Sequence, residues 1–301
     1  MPTMTTASLT GAVRLNDWGV IRAQGAEAAK FLHSQLTQDF ALLGLNEARL
    51  AGFCSAKGRL LATMIGWKAD ENTVLLALPL ELLPAIQKRL SMFVLRAKCK
   101  LSDASAEIGL WGAVGGADST PRWGLLREGD SQHIRLPDAD AGSRWLVAQA
   151  ASATPNLPVI SAEDWQWGTL ESGLPTVLAA TSEQFVPQML NLELLGGVNF
   201  QKGCYPGQEV VARSQYRGTL KRRTYLYEMD GPATPGQEIF HSEDPGQPAG
   251  LVANVAPRGA QSLVLAETKI AALSSGSLHL GAPDGPLLRP RELPYPLAQA
   301  E

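Results

Sequence analysis

The chain has 301 residues, 45% hydrophobic and 18% charged, with a formal net charge of −3. That much apolar surface excludes a disordered chain, and the negative balance excludes a protein that coats nucleic acid through its overall field. Cys54, Cys99 and Cys204 stand far apart without a CxxC pair, which excludes a disulfide framework or zinc knuckle and fits a reducing compartment.

The run from Met1 to Thr10 has neither a basic start nor a sustained apolar core, and no later stretch has the apolar length of a bilayer span. The reading is a soluble cytoplasmic protein without a membrane partner. Gly19-Val20-Ile21-Arg22 reads as a strand, after which Ala28, Phe31, Leu32 and Leu36 share one helical face. Arg49 to Cys54, Leu60 to Trp67 and Thr73 to Leu78 are strand-rich, separated by turns at Lys57-Gly58 and Asp70-Glu71-Asn72, so antiparallel neighbours are expected. Pro79 opens a second amphipathic helix through Leu82, Leu83, Ile86, Leu90 and Phe93, and Val94 to Leu101 returns as a strand.

Further strands are expected around Trp111 and Val114, at His133 to Leu136, and at Arg144 to Gln149. Ser161 with Asp164 forms a capping pair for a helix reaching Glu171, which Gly173 and Pro175 stop. From Thr224 the pattern becomes short strands, Tyr225 to Met229, Leu251 to Val255 and Leu263 to Ala266, with turn residues between them. This predicts a small all-β domain, with Arg289 to Glu301 as a loose tail.

The densest chemistry lies between Phe185 and Arg223. Gly203 and Gly207 permit tight backbone geometry around Cys204, while Pro206 and Gln208-Glu209 open a short helix. Lys202 and that helix N-terminus both favour a thiolate, although Glu209 opposes it; the other reading is a small buried cysteine in a sharp turn. Arg213, Arg217, Lys221, Arg222 and Arg223, with Tyr216 among them, form a basic cluster suited to an anionic tail, a nucleotide partner or plain solvation. The four histidines, His33, His133, His241 and His279, lack zinc spacing, so no metal site is expected. No Walker loop, Rossmann fingerprint or GxSxG elbow is present.

Lys202-Gly203-Cys204-Tyr205-Pro206-Gly207-Gln208-Glu209 resembles the KGC(Y/F)xGQE signature of the YgfZ family of folate-binding proteins. The likeness continues through Pro187-Gln188, Asn191-Leu192, Val210 to Arg213, Tyr216-Arg217-Gly218 and Lys221-Arg222. Near the N-terminus, Phe31 to Asp39 is similar to the family's FLxGQxTND run, and Cys54 to Arg59 to its CxxKGR turn. Ser34, Gln38 and Pro206 depart mildly from those patterns. Thr169 to Pro175 resembles the RxEAGxP segment of folate-dependent aminomethyltransferases, with Thr169 in place of the Arg.

The resemblance implies an α+β, three-lobed aminomethyltransferase-like fold: a folate-binding lobe over residues 1–110, a second α+β lobe over 111–222 carrying the Cys204 motif, and a small β domain over 223–301. The first two lobes are open to being discontinuous. It also implies a tetrahydrofolate cofactor and a role in assembling or repairing iron–sulfur clusters in client proteins, tRNA-modifying enzymes among them. Direct nucleic-acid binding is not expected. Glu171 is the expected pterin contact, since a carboxylate accepts adjacent N–H donors together, with an ordinary solvent-facing Glu as the bland alternative. Lys202, Tyr205, Gln208, Arg213 and Arg217 complete the expected cofactor set, Cys204 carries any redox or sulfur role, and one cavity is expected to join Glu171 to the Cys204 turn. Two other functions remain open: a one-carbon transferase and a ligand-free docking scaffold. The first is disfavoured because Gly58 is followed by Arg59-Leu60-Leu61-Ala62-Thr63, where the transferases carry a carboxylate pair that activates the amine.

Overall fold

A computed structural model describes residues 9–115, 118–216 and 220–297. β1 (Gly11–Arg14) leads into β2 (Trp18–Gln24), β3 (Ala48–Cys54), β4 (Leu60–Asp70), β5 (Thr73–Pro79) and β6 (Lys100–Asp103). The last five form an antiparallel sheet in the order β3-β4-β5-β2-β6, covered by α1 (Ala28–Gln35) and α2 (Leu83–Ser91). All of β5 and the first eight residues of β4 are buried, because these central strands have neighbours on both edges and cover on their faces. Val94 to Leu101 is not one strand: Val94 to Cys99 turns, with Leu95 at φ 42°, and pairing starts only at Lys100.

β1 crosses to a second antiparallel sheet, made with β7 (Ile108–Val114), β8 (Leu125–Glu128), β9 (Ser131–Arg135) and β10 (Arg144–Ala150) in the order β1-β7-β10-β9-β8. The N-terminal strand therefore belongs to the second sheet, so these two layers are interleaved in sequence. α3 (Ala162–Glu171) begins as its pattern requires, with the Ser161 hydroxyl accepting from the Asp164 amide at 2.9 Å. Its Trp165 lies on Gly112 of β7, where any added Cβ would meet the indole at 2.4 Å.

After α3 the chain returns to the first sheet. Thr37 ties that returning segment to the first sheet: its hydroxyl donates to Gly197 O at 2.6 Å and accepts from the Gly52 amide at 2.7 Å. α4 (Gln208–Tyr216) then precedes a closed barrel of β11 (Arg222–Asp230), β12 (Glu238–His241), β13 (Asp244–Arg258), β14 (Gln261–Lys269), β15 (Leu278–Leu280) and β16 (Leu287–Arg291). Barrel order is β11-β14-β13-β12-β15-β16, which leaves no exposed sheet edge. A core of Tyr227, Met229, Ile239, Val252 and Val264 fills it, while one continuous core runs through both open sheets. Trp167 and Leu170 of α3 pack against Leu226, Leu263 and Leu265, so α3 joins the barrel to the sheets.

The segment expected as a loose tail is built into the fold over its described part. Arg289 to Arg291 pair with β11, and the Tyr295 hydroxyl donates to Gly173 O at 2.9 Å. Gly173 sits at φ 65° with the Tyr295 ring against it, so both its left-handed backbone and its missing Cβ are required.

Candidate functional site

A cavity of about 550 Å³ opens where the three sheets approach one another. Leu15, Trp18, Ile65 and Glu81 come from the first sheet and its connections, Leu136, Arg144, Leu146 and α3 from the second, and Asn254 and Val255 from the barrel. Its walls are graded: Asp17, Leu80, Glu81, Ala162 and Gln166 are exposed, whereas Leu15, Ile65, Arg144, Leu146, Trp165, Leu170 and Leu174 are buried. It thus has an open end bearing two carboxylates, the half-buried Arg14 on its wall, and an apolar floor holding the buried guanidinium of Arg144.

That guanidinium is 1% exposed. Arg144 lies over the Trp165 ring with 4.2 Å to the centroid, and donates to the Ser172 hydroxyl at 3.0 Å and the Thr169 hydroxyl at 2.5 Å. Its Nε has no partner among the described residues. Burial pulls its pKa down to about 9, against the attraction of Asp138 and Glu171. Composition gave no sign of this residue, because a lone Arg within strand β10 reads as an ordinary sheet position; only its full burial beside a cavity distinguishes it.

Cys204 occupies a different kind of place. It is exposed, whereas Cys54 is buried, its thiol pushed up to about 12 by desolvation. The turn that carries it packs on the first sheet rather than on the second lobe in which chain order had put it. Gly207, at φ 78°, lies against the β3–β4 turn so closely that an added Cβ would meet Ser55 O at 2.4 Å and Gly58 Cα at 2.7 Å. Gly58, at φ 71°, is matched from the other side by Val210. The KGR turn and the CYPG turn are therefore one unit of apposed backbones.

Lys202 anchors this unit. Its ammonium donates to His33 O and, at 2.8 Å, to Leu36 O, two carbonyls at the C-terminal end of α1, and stands 4.7 Å from the centroid of the Tyr205 ring. Burial lowers its pKa to about 8, with Asp39 and Cys204 pulling the other way. Tyr205 is buried beside it, its phenol pushed upward by the same desolvation. A Cβ on Gly203 would come within 3.4 Å of His33 Nε2, and His33 Nδ1 pairs with Asp39 at 2.9 Å. Burial works against ionisation of Asp39, but hydrogen bonds from Leu42 and His33 outweigh it and hold the carboxyl below its usual value. Spacing gave His33 no role beyond its lack of a metal pattern; it lies half-buried beneath the cysteine turn.

The remaining expected residues separate. Glu171 sits two positions beyond Thr169, hence about 200° round the helix from that cavity-lining position. It accepts from Trp167 Nε1 at 2.8 Å and lies 3.8 Å from Arg291 of the barrel, with burial raising its pKa. Neither Glu171 nor Lys202, Cys204, Tyr205, Gln208 or Arg213 lines the cavity. Gln208 starts α4, Arg213 is exposed upon it, and Arg217 lies outside the described residues. The basic cluster divides as well: Arg222 pairs with Glu267 at 2.7 Å, and Arg223 is buried against Glu193 at 2.8 Å, because β11 carries both into the barrel wall. Among the described residues no group of His, Cys, Asp and Glu is disposed to hold a metal ion, and no helix is long and apolar enough to cross a membrane.

Two open sheets and a closed barrel about a central cavity define the class: the architecture is that of the aminomethyltransferases. The glycine cleavage system aminomethyltransferase T from Bartonella henselae superposes with a TM-score of 0.65 over 93% of this chain and 85% of its own, at 14% sequence identity. No protein-family model matches. The chain is 32% identical to the tRNA-modifying protein YgfZ of Edwardsiella ictaluri over 71% of this chain and 69% of that one, and 32% identical, with the same coverage, to the YgfZ of Photorhabdus laumondii. The chain belongs to the YgfZ family.

Proposed function

We propose that the chain binds a tetrahydrofolate in the three-sheet cavity and uses the exposed Cys204 turn to assist assembly or repair of iron–sulfur clusters in client enzymes, tRNA-modifying enzymes among them. The observation that carries this reading is the cavity itself. At about 550 Å³ it falls within the range of roughly 300–1,000 Å³ typical of small-molecule sites, and it has the usual apolar lining with few polar groups. A planar heterocycle fits such walls: Arg144, lying over Trp165, offers donors at the floor, and its Nε, without a partner among the described residues, marks polar capacity that the fold does not use internally.

The cysteine half of the reading rests on exposure. Iron–sulfur chemistry on a client requires a thiol that reaches another protein, and Cys204 is the exposed cysteine of the three. Client proteins, cytoplasmic location and tetrahydrofolate belong to this reading, which is favoured over a one-carbon transferase because Arg59 to Thr63 contribute no carboxylate. Isothermal titration of the purified protein with tetrahydrofolate tests the first half, with saturable one-to-one binding expected; heat that never saturates would overturn it. A coupled assay for methylenetetrahydrofolate is expected to show no turnover, and clear turnover would make the transferase reading the better one.

A further inference from the structure

We propose that Arg144 is the binding residue that reads the heterocycle of the cavity's ligand, donating to the oxo-bearing acceptor edge of a pterin-like ring at the apolar floor. This rests on the folate reading and adds to it the residue and the end of the ligand that goes in first.

Arg144 is the group in the cavity whose position the fold alone does not justify. Its side chain is buried, and burying a guanidinium without a counter-charge is costly unless an acceptor arrives to meet it. The neighbouring carboxylates that could serve are engaged elsewhere. Asp138 pairs with Arg135 at 2.5 Å, and Glu171 bonds Trp167 and faces Arg291. What Arg144 holds inside the protein are neutral hydroxyls and the Pro137 carbonyl, and its Nε is unpartnered. These contacts hold the guanidinium over the Trp165 ring, which orients a donor without satisfying it. Thr169 makes this possible, since its short side chain leaves the helix face clear for Arg144 to lie across and supplies the hydroxyl that receives it.

The acceptor is a ring edge rather than a tail carboxylate. A folate tail carries two carboxylates, whereas the buried floor offers one guanidinium among Leu15, Ile65, Leu146, Leu170 and Leu174, and the other lining guanidinium, that of Arg14, lies over Trp111 and donates to Ala151 O, which leaves too few cations to bury two anions. A neutral lactam brings one oxygen, which matches the one buried donor of the floor. The tail then lies toward the open end, where Asp17 and Glu81 are exposed and screened by water.

The test compares tetrahydrofolate with 6-methyltetrahydropterin, which lacks the tail, on wild type, Arg144→Met and Arg144→Lys. The apolar, similarly long methionine is expected to keep the fold, read as an unchanged or raised melting temperature, since it removes a buried charge. It is expected to weaken both ligands by a similar factor, about 10- to 100-fold. The lysine variant keeps charge but not the planar fork, and is expected to weaken both as well; it stands in if the methionine variant does not fold. Loss confined to tetrahydrofolate would mean that Arg144 reads the tail and would overturn the assignment, as would wild-type affinity in both variants or a wild type that binds the folate and not the tail-free ring. A wild type that binds neither ligand overturns the folate reading, and this assignment with it.

Discussion

The central cavity and the Cys204 turn are built on opposite principles. At the cavity the fold buries a charge and leaves it short of partners; at the turn it seats the Lys202 ammonium on two carbonyls and His33 on Asp39, and leaves the cysteine exposed. Arg144 is 1% exposed with an unpartnered Nε, while Lys202 is 8% exposed with its ammonium on two helix-end carbonyls. The first arrangement leaves a buried donor unused within the fold, and the second holds a thiol at a fixed place on the surface. The lesson is that a signature can mark a scaffold: in KGCYPGQE the lysine, tyrosine and second glycine brace the turn that carries the cysteine and do not line the central cavity.

The largest test of that contrast is Gly207→Val. The added side chain meets backbone atoms of the β3–β4 turn and forces a β-branched residue to φ 78°, so no side-chain rotation relieves it. A loss of roughly 3 kcal/mol or more is expected, read from chemical denaturation. Stability close to wild type would show that the two turns are not one packed unit.

Lys202→Met comes next. It leaves His33 O and Leu36 O without their buried donor and costs about 1–3 kcal/mol. The pH dependence separates this from a packing defect. Burial holds Lys202 at about 8 against 10.5 in the unfolded chain, so between those values the unfolded state binds the additional proton. The contribution of this group to stability therefore rises as pH climbs through that interval, and below about 8 the full cost of the buried charge is present. Denaturant midpoints across the interval are expected to rise less in the methionine variant than in wild type. Parallel profiles would contradict a depressed lysine.

How much of this was legible in the sequence follows from the range of the forces involved. Ser161-x-x-Asp164 with Gly173 fixed both ends of α3, and the strands of the first sheet showed in their patterning, because caps and periodicity are local. The Cys204 motif was plain for the same reason, a contiguous run. Its support was not: Lys202 reaches residues far back in the chain, and Gly207 touches a turn that no spacing connects to it. Leu95 defeated the strand expected from Val94 onward, since an apolar run does not reveal a left-handed residue. Glu171 was placed on its helix but lies outside the cavity lining, because only tertiary contact tells which stripe of a helix in contact with two sheets and a barrel faces the cavity. Arg144 was invisible, since its burial depends on α3 folding over β10.

Glu171→Gln is expected to have a smaller effect than either variant above. The amide oxygen still accepts from Trp167, and the barrel contact lies away from the cavity, so stability stays within about 0.5 kcal/mol and tetrahydrofolate affinity within about twofold. A loss near that of Arg144→Met would place the ligand on the barrel side of α3 and merge the two halves of that helix into one binding surface.

Cys204→Ser sets the lower limit of effect on the folded protein and the upper limit on its partners. An exposed sulfur at the top of a braced turn contributes little packing, so the melting temperature and folate affinity are expected to match wild type, while clients matured in cells carrying the variant under oxidative stress lose activity. The two regions would then be separable, one by ligand titration and the other by client activity. Full client activity with Cys204→Ser would remove the thiol from the chemistry and reduce the turn to a docking element. A change in folate affinity would show instead that the turn and the cavity communicate, through α1 and the first sheet on which both rest.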